Sequence, residues 1–201
     1  MKYLIFITAL LLQQSIFAQE VNLSFRNGYA LGETDALRKI MLFTAATAGY
    51  EAQLRNDYFI TGSIGGTSLK FSYVDSGNTN VYNSRIFVCL PVAIKKYFFI
   101  NQRSDFFLQL AVVMDYCLID KRERKRVNFV HTETRLNTGW AAGVEASCCY
   151  KRAITAKISF AIGLAAQQNF LLHYKNGSDK IQVKTNALVF AFYRRLGKQK
   201  F

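Results

Sequence analysis

The chain of 201 residues holds one proline, one tryptophan and two histidines, and its 13 acidic residues are outnumbered by 26 basic ones. Each shortage removes a class of protein. With Pro91 alone and no Gly- or Ser-rich stretch there is no linker to divide the chain, so a single domain is expected. The four cysteines, Cys89, Cys117, Cys148 and Cys149, form no CxxC pair, which argues against a zinc ribbon or a thioredoxin-type motif. Cys148 and Cys149 are adjacent and would point to opposite faces of a strand, so the four are read as small apolar fillers. His131 and His173 are too few for a metal centre, and no cofactor is expected. No apolar run approaches the roughly 20 residues that a spanning helix needs.

The longest apolar run, residues 3–12, stands in another layout. Lys2 precedes it and a polar, small-residue tail, residues 13–18, follows it. That is the order of a secretory signal peptide, with cleavage expected between Ala18 and Gln19. Residues 1–18 are therefore read as the signal and residues 19–201 as one exported domain. Export changes the meaning of the formal charge of +13. The anionic partners it meets are lipid head groups and phosphorylated glycolipid, and nucleic acid is not expected.

What the mature region has in abundance is period-two alternation. Val21, Leu23, Phe25, Tyr29 and Leu31 oppose Asn22, Ser24, Arg26, Gly28 and Ala30. Residues 40–54 set Leu42, Ala46, Ala48 and Tyr50 against Thr47, Gly49, Glu51 and Gln53. Residues 58–73 begin with Tyr58, Ile60 and Ile64 outward, and a β-bulge at Gly65-Gly66 is expected to hand the stripe to Leu69, Phe71 and Tyr73. Ile86 to Ile94, Phe106 to Leu118 and Leu136 to Tyr150 continue the pattern on even-numbered positions. A seventh stripe runs through Ile154, Ala156, Ile158, Phe160, Ile162 and Leu164, opposite Lys157, and an eighth through Leu188, Phe190 and Phe192. The segments exceed the five or six residues common in soluble strands. Their second face is small and polar where a soluble barrel would keep its bulk, as expected when lipid is the outer solvent.

The expected architecture is all-β: an eight-stranded antiparallel up-and-down transmembrane β-barrel of the outer-membrane type. Short connections at residues 55–57, 101–104 and 151–153 alternate with longer polar ones at 32–39, 75–84, 120–135 and 169–180, as periplasmic turns and outer loops do. Tyr29, Tyr50, Tyr58, Tyr97, Phe98, Tyr150, Phe170 and Tyr193 are candidates for interfacial girdles. The segment from Asn186 to Phe201 resembles the C-terminal signal that such barrels present to their assembly machinery, with the basic stretch from Arg194 to Lys200 as a departure.

Gly49-Tyr50-Glu51 at the end of the second strand, Leu90-Pro91-Val92-Ala93-Ile94-Lys95 in the fourth, and the Ala-Gln cleavage site carry a resemblance. With them the chain resembles the small outer-membrane β-barrel proteins of Bacteroidetes, the PorT-like family. The resemblance spans the mature chain and implies a fold and a membrane rather than an activity. Some relatives assist a secretion system, and no residue here carries that role across.

Two groups of side chains invite function. Glu51, Lys95, Asp115, Glu145 and Lys157 are expected inside the barrel as a charge network plugging the lumen, because buried charges persist only when paired. A gate or proton path is the alternative for the same residues. Lys121-Arg122-Glu123-Arg124-Lys125-Arg126 lies in the expected outer loop. Its Lys121, Arg122, Arg124, Lys125 and Arg126 are candidates for an anionic glycolipid or an acidic protein partner, or form a solvated cap. His131 and His173, with Ser178, Glu133 and Asp179 in company, show no nucleophile motif, so no enzyme is expected. The function expected is structural or interaction-based through the outer loops. A narrow channel, a lipid-modifying enzyme and a soluble periplasmic ligand carrier remain open.

Overall fold

The computed structural model describes residues 20–34, 37–74, 79–126, 129–174 and 182–196. The signal peptide expected at residues 1–18 and the aromatic terminus Phe201 lie outside them. Eight strands follow in order: β1 Glu20–Thr34, β2 Leu37–Arg55, β3 Tyr58–Val74, β4 Asn80–Asn101, β5 Ser104–Arg126, β6 Phe129–Ala153, β7 Ile158–Tyr174 and β8 Gln182–Arg195. Each pairs antiparallel with its neighbour and β8 returns to β1, so the barrel closes and no strand is left as an edge of the sheet.

Local chemistry accounts for the turns. Asn56, between β2 and β3, takes φ of 45°, a left-handed conformation that Asn tolerates. The amide of Tyr97 donates to the carbonyl of Asp57 at 2.9 Å and ties that turn to β4. Pro91 sits inside β4, where its missing N–H interrupts the ladder. The pairing with β3 passes from Gly62–Val92 to Gly65–Cys89, while the pairing of Pro91 with Val113 of β5 is kept.

The barrel is apolar on the outside. Leu23, Phe25, Leu90, Val92, Ile94, Leu108, Leu110, Val112, Met114 and Leu164 are exposed on it, Leu110 at 64%. Glu51, Lys95 and Glu145 are buried within, Glu51 at 1%. Such a surface suits hydrocarbon and not water, and this is the transmembrane arrangement. The stripe from Ile86 to Ile94 on β4 faces outward, as its alternation requires, with Val88 half-buried.

Five expectations are corrected. Gly65-Gly66 is not a bulge: the register of β3 with β2 runs unbroken from Ser68 to Ser63. The phase therefore does not change, and Leu69 and Phe71 turn into the lumen, where they join Ala30, Met41, Phe43, Phe87 and Val183 in an apolar cluster with Tyr73 packed against it. The interior is thus not uniformly small and polar; a filled barrel needs bulk inside as well. Tyr97 and Tyr193 also point inward, packed with Phe107, and are not girdle residues. Ile154, Ala156 and Lys157 belong to the turn before β7, not to the strand, and the hydroxyl of Thr155 there accepts from the amides of Lys157 and Ile158 at 3.3 and 3.1 Å. Finally, much of what reads as long loops is strand. In particular β5 and β6 continue as a paired hairpin to Arg126 and Phe129.

β5 also turns over along its length. Against β4 the register shifts between Cys117 and Ile119 and leaves Leu118 as an extra residue of β5, whereas against β6 Leu118 stands opposite both Asn137 and Thr138 and the extra residue belongs to β6. Below Leu118, odd-numbered residues of β5 face the axis; above it, even-numbered ones do, beginning with buried Asp120.

Candidate functional site

The lumen is closed at two levels. Near the turn end, Glu51 accepts from Lys95 Nζ, from the Tyr97 hydroxyl at 2.7 Å and from Thr61 Oγ1 at 3.4 Å. Lys95 also donates to the Tyr193 hydroxyl at 3.3 Å and lies 5.0 Å from the ring centre of Phe107. Lys151 pairs with Glu20, donates to the Tyr97 hydroxyl at 3.4 Å and sits 4.2 Å from the Tyr193 ring centre. One layer up, Arg26 of β1 pairs with Glu145 of β6 across the barrel. Above these the apolar cluster around Phe71 and Phe87 fills the bore.

Of the residues expected in this network, Glu51, Lys95, Asp115 and Glu145 are buried inside. Lys157 is not: it is exposed in the β6–β7 turn, because β7 begins one residue after it. Its expected place is taken by Lys151, which the sequence reading left in a turn. Arg26, Glu20, Tyr97 and Tyr193 were also missed. The alternation placed Arg26 on the inner face, and that was a usable signal; nothing in the chain marked it as the partner of Glu145. Asp115 stands apart. Its Oδ2 accepts from Gln167 at 3.3 Å, and its Oδ1 is buried without a hydrogen-bond partner. The cavities lined by Asp115, and by Arg26 with Glu145, measure about 20 and 30 Å³, room for about one water each.

The second candidate region is the β4–β5–β6 extension. Those strands have 22, 23 and 25 residues, against 17 in β3 and in β7. Paired residues share a face, so the register sorts the basic run. Asp120 aligns with Arg85 and Arg135, Arg122 with Asn83 and Glu133, Arg124 with Val81 and His131, and Arg126 with Phe129. These face the axis side. Lys121, Glu123 and Lys125 take the opposite face, with Lys125 over the Tyr82 ring at 5.3 Å. Arg85 pairs with Asp120 at 3.1 Å, and Arg135 with Glu133 at 2.6 Å. The Arg135 guanidinium holds Glu133 below the usual carboxylate range, and Lys125 does the same for Glu123. Both acids are therefore ionised at neutral pH.

His131 stacks on Phe129 at 6.1 Å and His173 on Trp140 at 5.9 Å, so the two sit on strands β6 and β7 and not in loops. Ser178 and Asp179 lie outside the described residues. Among the described residues no group of three or more His, Cys, Asp or Glu side chains is placed to hold a metal ion, and Cys89, Cys117, Cys148 and Cys149 are all free thiols.

No protein-family model matches the sequence, and no curated protein does. Solved structures match the fold. The crystal structure of Neisserial surface protein A (NspA) is similar with a TM-score of 0.52 at 11% identity, over 89% of this chain and 97% of that one. Ail, the attachment invasion locus protein of Yersinia pestis, gives 0.45 at 14% identity, over 88% and 99%. The N-terminal β-barrel domain of Pseudomonas aeruginosa OprF gives 0.41 at 11%, over 87% and 96%. At these identities the likeness to NspA speaks to fold alone, and that fold is the small outer-membrane type of β-barrel.

Proposed function

We propose that this protein is exported by a signal peptide at residues 1–18 and resides in the bacterial outer membrane as a sealed barrel that acts by interaction. Its working surface is the β5–β6 hairpin on the outer side. The observation that carries this reading is the doubly closed lumen, an ion-paired layer below and an apolar layer above. A bore filled in this way supports an anchor and disfavours a narrow channel. The outward apolar belt disfavours a soluble ligand carrier, whose bulk would line a cavity. The hairpin is the part of the scaffold that outruns its neighbours, and projecting segments on a rigid scaffold are where binding resides.

The test combines location and conductance. The mature protein should leave the outer-membrane fraction with detergent and not with salt or carbonate, and unboiled protein should migrate differently from boiled protein. Reconstituted into planar bilayers it should hold the bilayer closed to ions. Monodisperse protein in the periplasm without detergent, or large steady conductance, overturns the reading.

A further inference from the structure

We infer that the axis-facing side of the β4–β5–β6 extension is a binding site for an extended anionic polysaccharide, an inference that rests on the interaction role proposed above. The run Lys121-Arg122-Glu123-Arg124-Lys125-Arg126 looks mixed as a sequence, but the strand sorts it by residue type. Arg122, Arg124 and Arg126 share the axis side and both lysines take the other. With Arg85 and Arg135, and among the described residues of this extension, the axis side carries five guanidiniums and two carboxylates, Asp120 and Glu133, which pair with Arg85 and Arg135.

Arginine and lysine do different work. A guanidinium offers a planar fork that grips sulfate, phosphate or carboxylate through two hydrogen bonds, and an ammonium acts as a point charge. The orientation disfavours the surrounding bilayer as the ligand of the arginines. Lipid head groups would lie beside the outer wall, where Lys121 and Lys125 are, whereas the arginines take the wall that faces the barrel axis. Arg124 and Arg126 are exposed there, and Arg122 is half-buried with its Nε donating to Asn83 at 3.2 Å. Alternate residues on a strand are about 7 Å apart, so the three arginines present charge at intervals along a line.

The other groups on this side point to a sugar chain over an acidic peptide. Asp120 and Glu133 are held in ion pairs with Arg85 and Arg135, and the half-buried Glu133 carboxylate keeps lone pairs that can accept from hydroxyl groups. The stacked Phe129 and His131 rings, both on the arginine side, offer an apolar face to a sugar ring. A chain that alternates anionic substituents with hydroxyl-bearing rings meets all of these features together.

The experiment uses mature protein in phosphatidylcholine nanodiscs and compares R122Q/R124Q with K121Q/K125Q, two variants equal in charge removed and in position on the strand. The probes are dextran sulfate, neutral dextran, polyglutamate and phosphatidylglycerol vesicles. The expected result is that dextran sulfate binds more tightly than polyglutamate and neutral dextran does not bind. R122Q/R124Q should lose about tenfold in dextran sulfate affinity, K121Q/K125Q less than about threefold, with the order reversed for vesicles. Unboiled gel mobility checks folding, and if R122Q/R124Q does not fold, R124Q, altered at an exposed position, carries the comparison. Equal losses in both variants, tighter binding of polyglutamate, or no dextran sulfate binding by a sealed, membrane-embedded protein each overturn the inference alone. Ion conductance by the same preparation overturns the barrel reading beneath it.

Discussion

Replacing Glu51 with Gln tests whether the lower layer of the lumen is a coupled network. Glu51 is 1% exposed and accepts from Lys95, Tyr97 and Thr61. Gln is nearly isosteric, so packing is kept and a charge is removed. Lys95 then keeps its cation in the lumen with the Tyr193 hydroxyl and two ring faces for company. Breaking one side of a buried ion pair typically costs about 3–5 kcal/mol, and ring contacts worth about 0.5–2 kcal/mol offset part of it. A loss near the lower end, about 3 kcal/mol, is expected. Lys95→Met should cost a similar amount by stranding Glu51. The double variant Glu51→Gln/Lys95→Met should be more stable than the sum of the two losses by about 1–3 kcal/mol, the coupling of neighbours in contact. Asp115→Asn is the internal control. That carboxylate is buried beside Gln167 and makes no salt bridge within 4 Å among the described residues, so its neutralisation should shift stability by less than about 1 kcal/mol or raise it. The assay is denaturant unfolding in lipid vesicles, read by the mobility of unboiled protein. Additivity of Glu51→Gln and Lys95→Met within about 0.5 kcal/mol refutes the network, as does an Asp115→Asn loss equal to that of Glu51→Gln.

Three further perturbations separate the faces and the close contacts. Lys in place of Leu110, on the outer belt, should cost about 2–4 kcal/mol in the same assay, and a neutral outcome there would mean that lipid does not cover that belt. Of two adjacent glycines, Gly65 has no room for a side chain, since a Cβ would overlap the Ala46 carbonyl and lie 2.7 Å from Thr47 Cα, whereas at Gly66 the nearest atom is 3.7 Å away. Gly65→Ala should therefore cost about 1–3 kcal/mol while Gly66→Ala is tolerated; the reverse order would restore the bulge. At Asn56, φ of 45° should make Gly harmless and Val costly by about 1–2 kcal/mol, and equal stability of the two variants would show that the turn adopts another conformation.

The alternation of large apolar side chains was enough to read eight strands and, for most, the outward face, but not how far β5 and β6 run beyond Leu118 and Leu136. Such a pattern is local, and a strand with period two has few other ways to bury or expose it. Parity also placed Leu69, Phe71, Tyr97 and Tyr193 inside, and they were misassigned because a bulge was expected at Gly65-Gly66 and because the tyrosines were assigned to girdles by residue type. Large apolar residues serve the lipid face and the plug equally well, so residue type alone does not tell them apart and the parity of the strand does. The lumen network was half legible. Glu51, Lys95, Asp115 and Glu145 fell on inner faces by parity, but Lys151 and Lys157 exchanged roles because the β6–β7 turn lies a few residues later than the alternation suggests.

Composition and period, then, determined by themselves that this chain forms long amphipathic strands with their apolar side toward lipid. Pairing across the barrel decided the rest. Arg26 meets Glu145 although 119 residues separate them, because closure brings β1 and β6 to the same bore. The shift of register at Leu118, a matter of how β5 lies between β4 and β6, turns Arg122, Arg124 and Arg126 toward the axis and the lysines away. Strand direction is written residue by residue, whereas register is a property of three strands at once, and a single extra residue reverses every side chain beyond it.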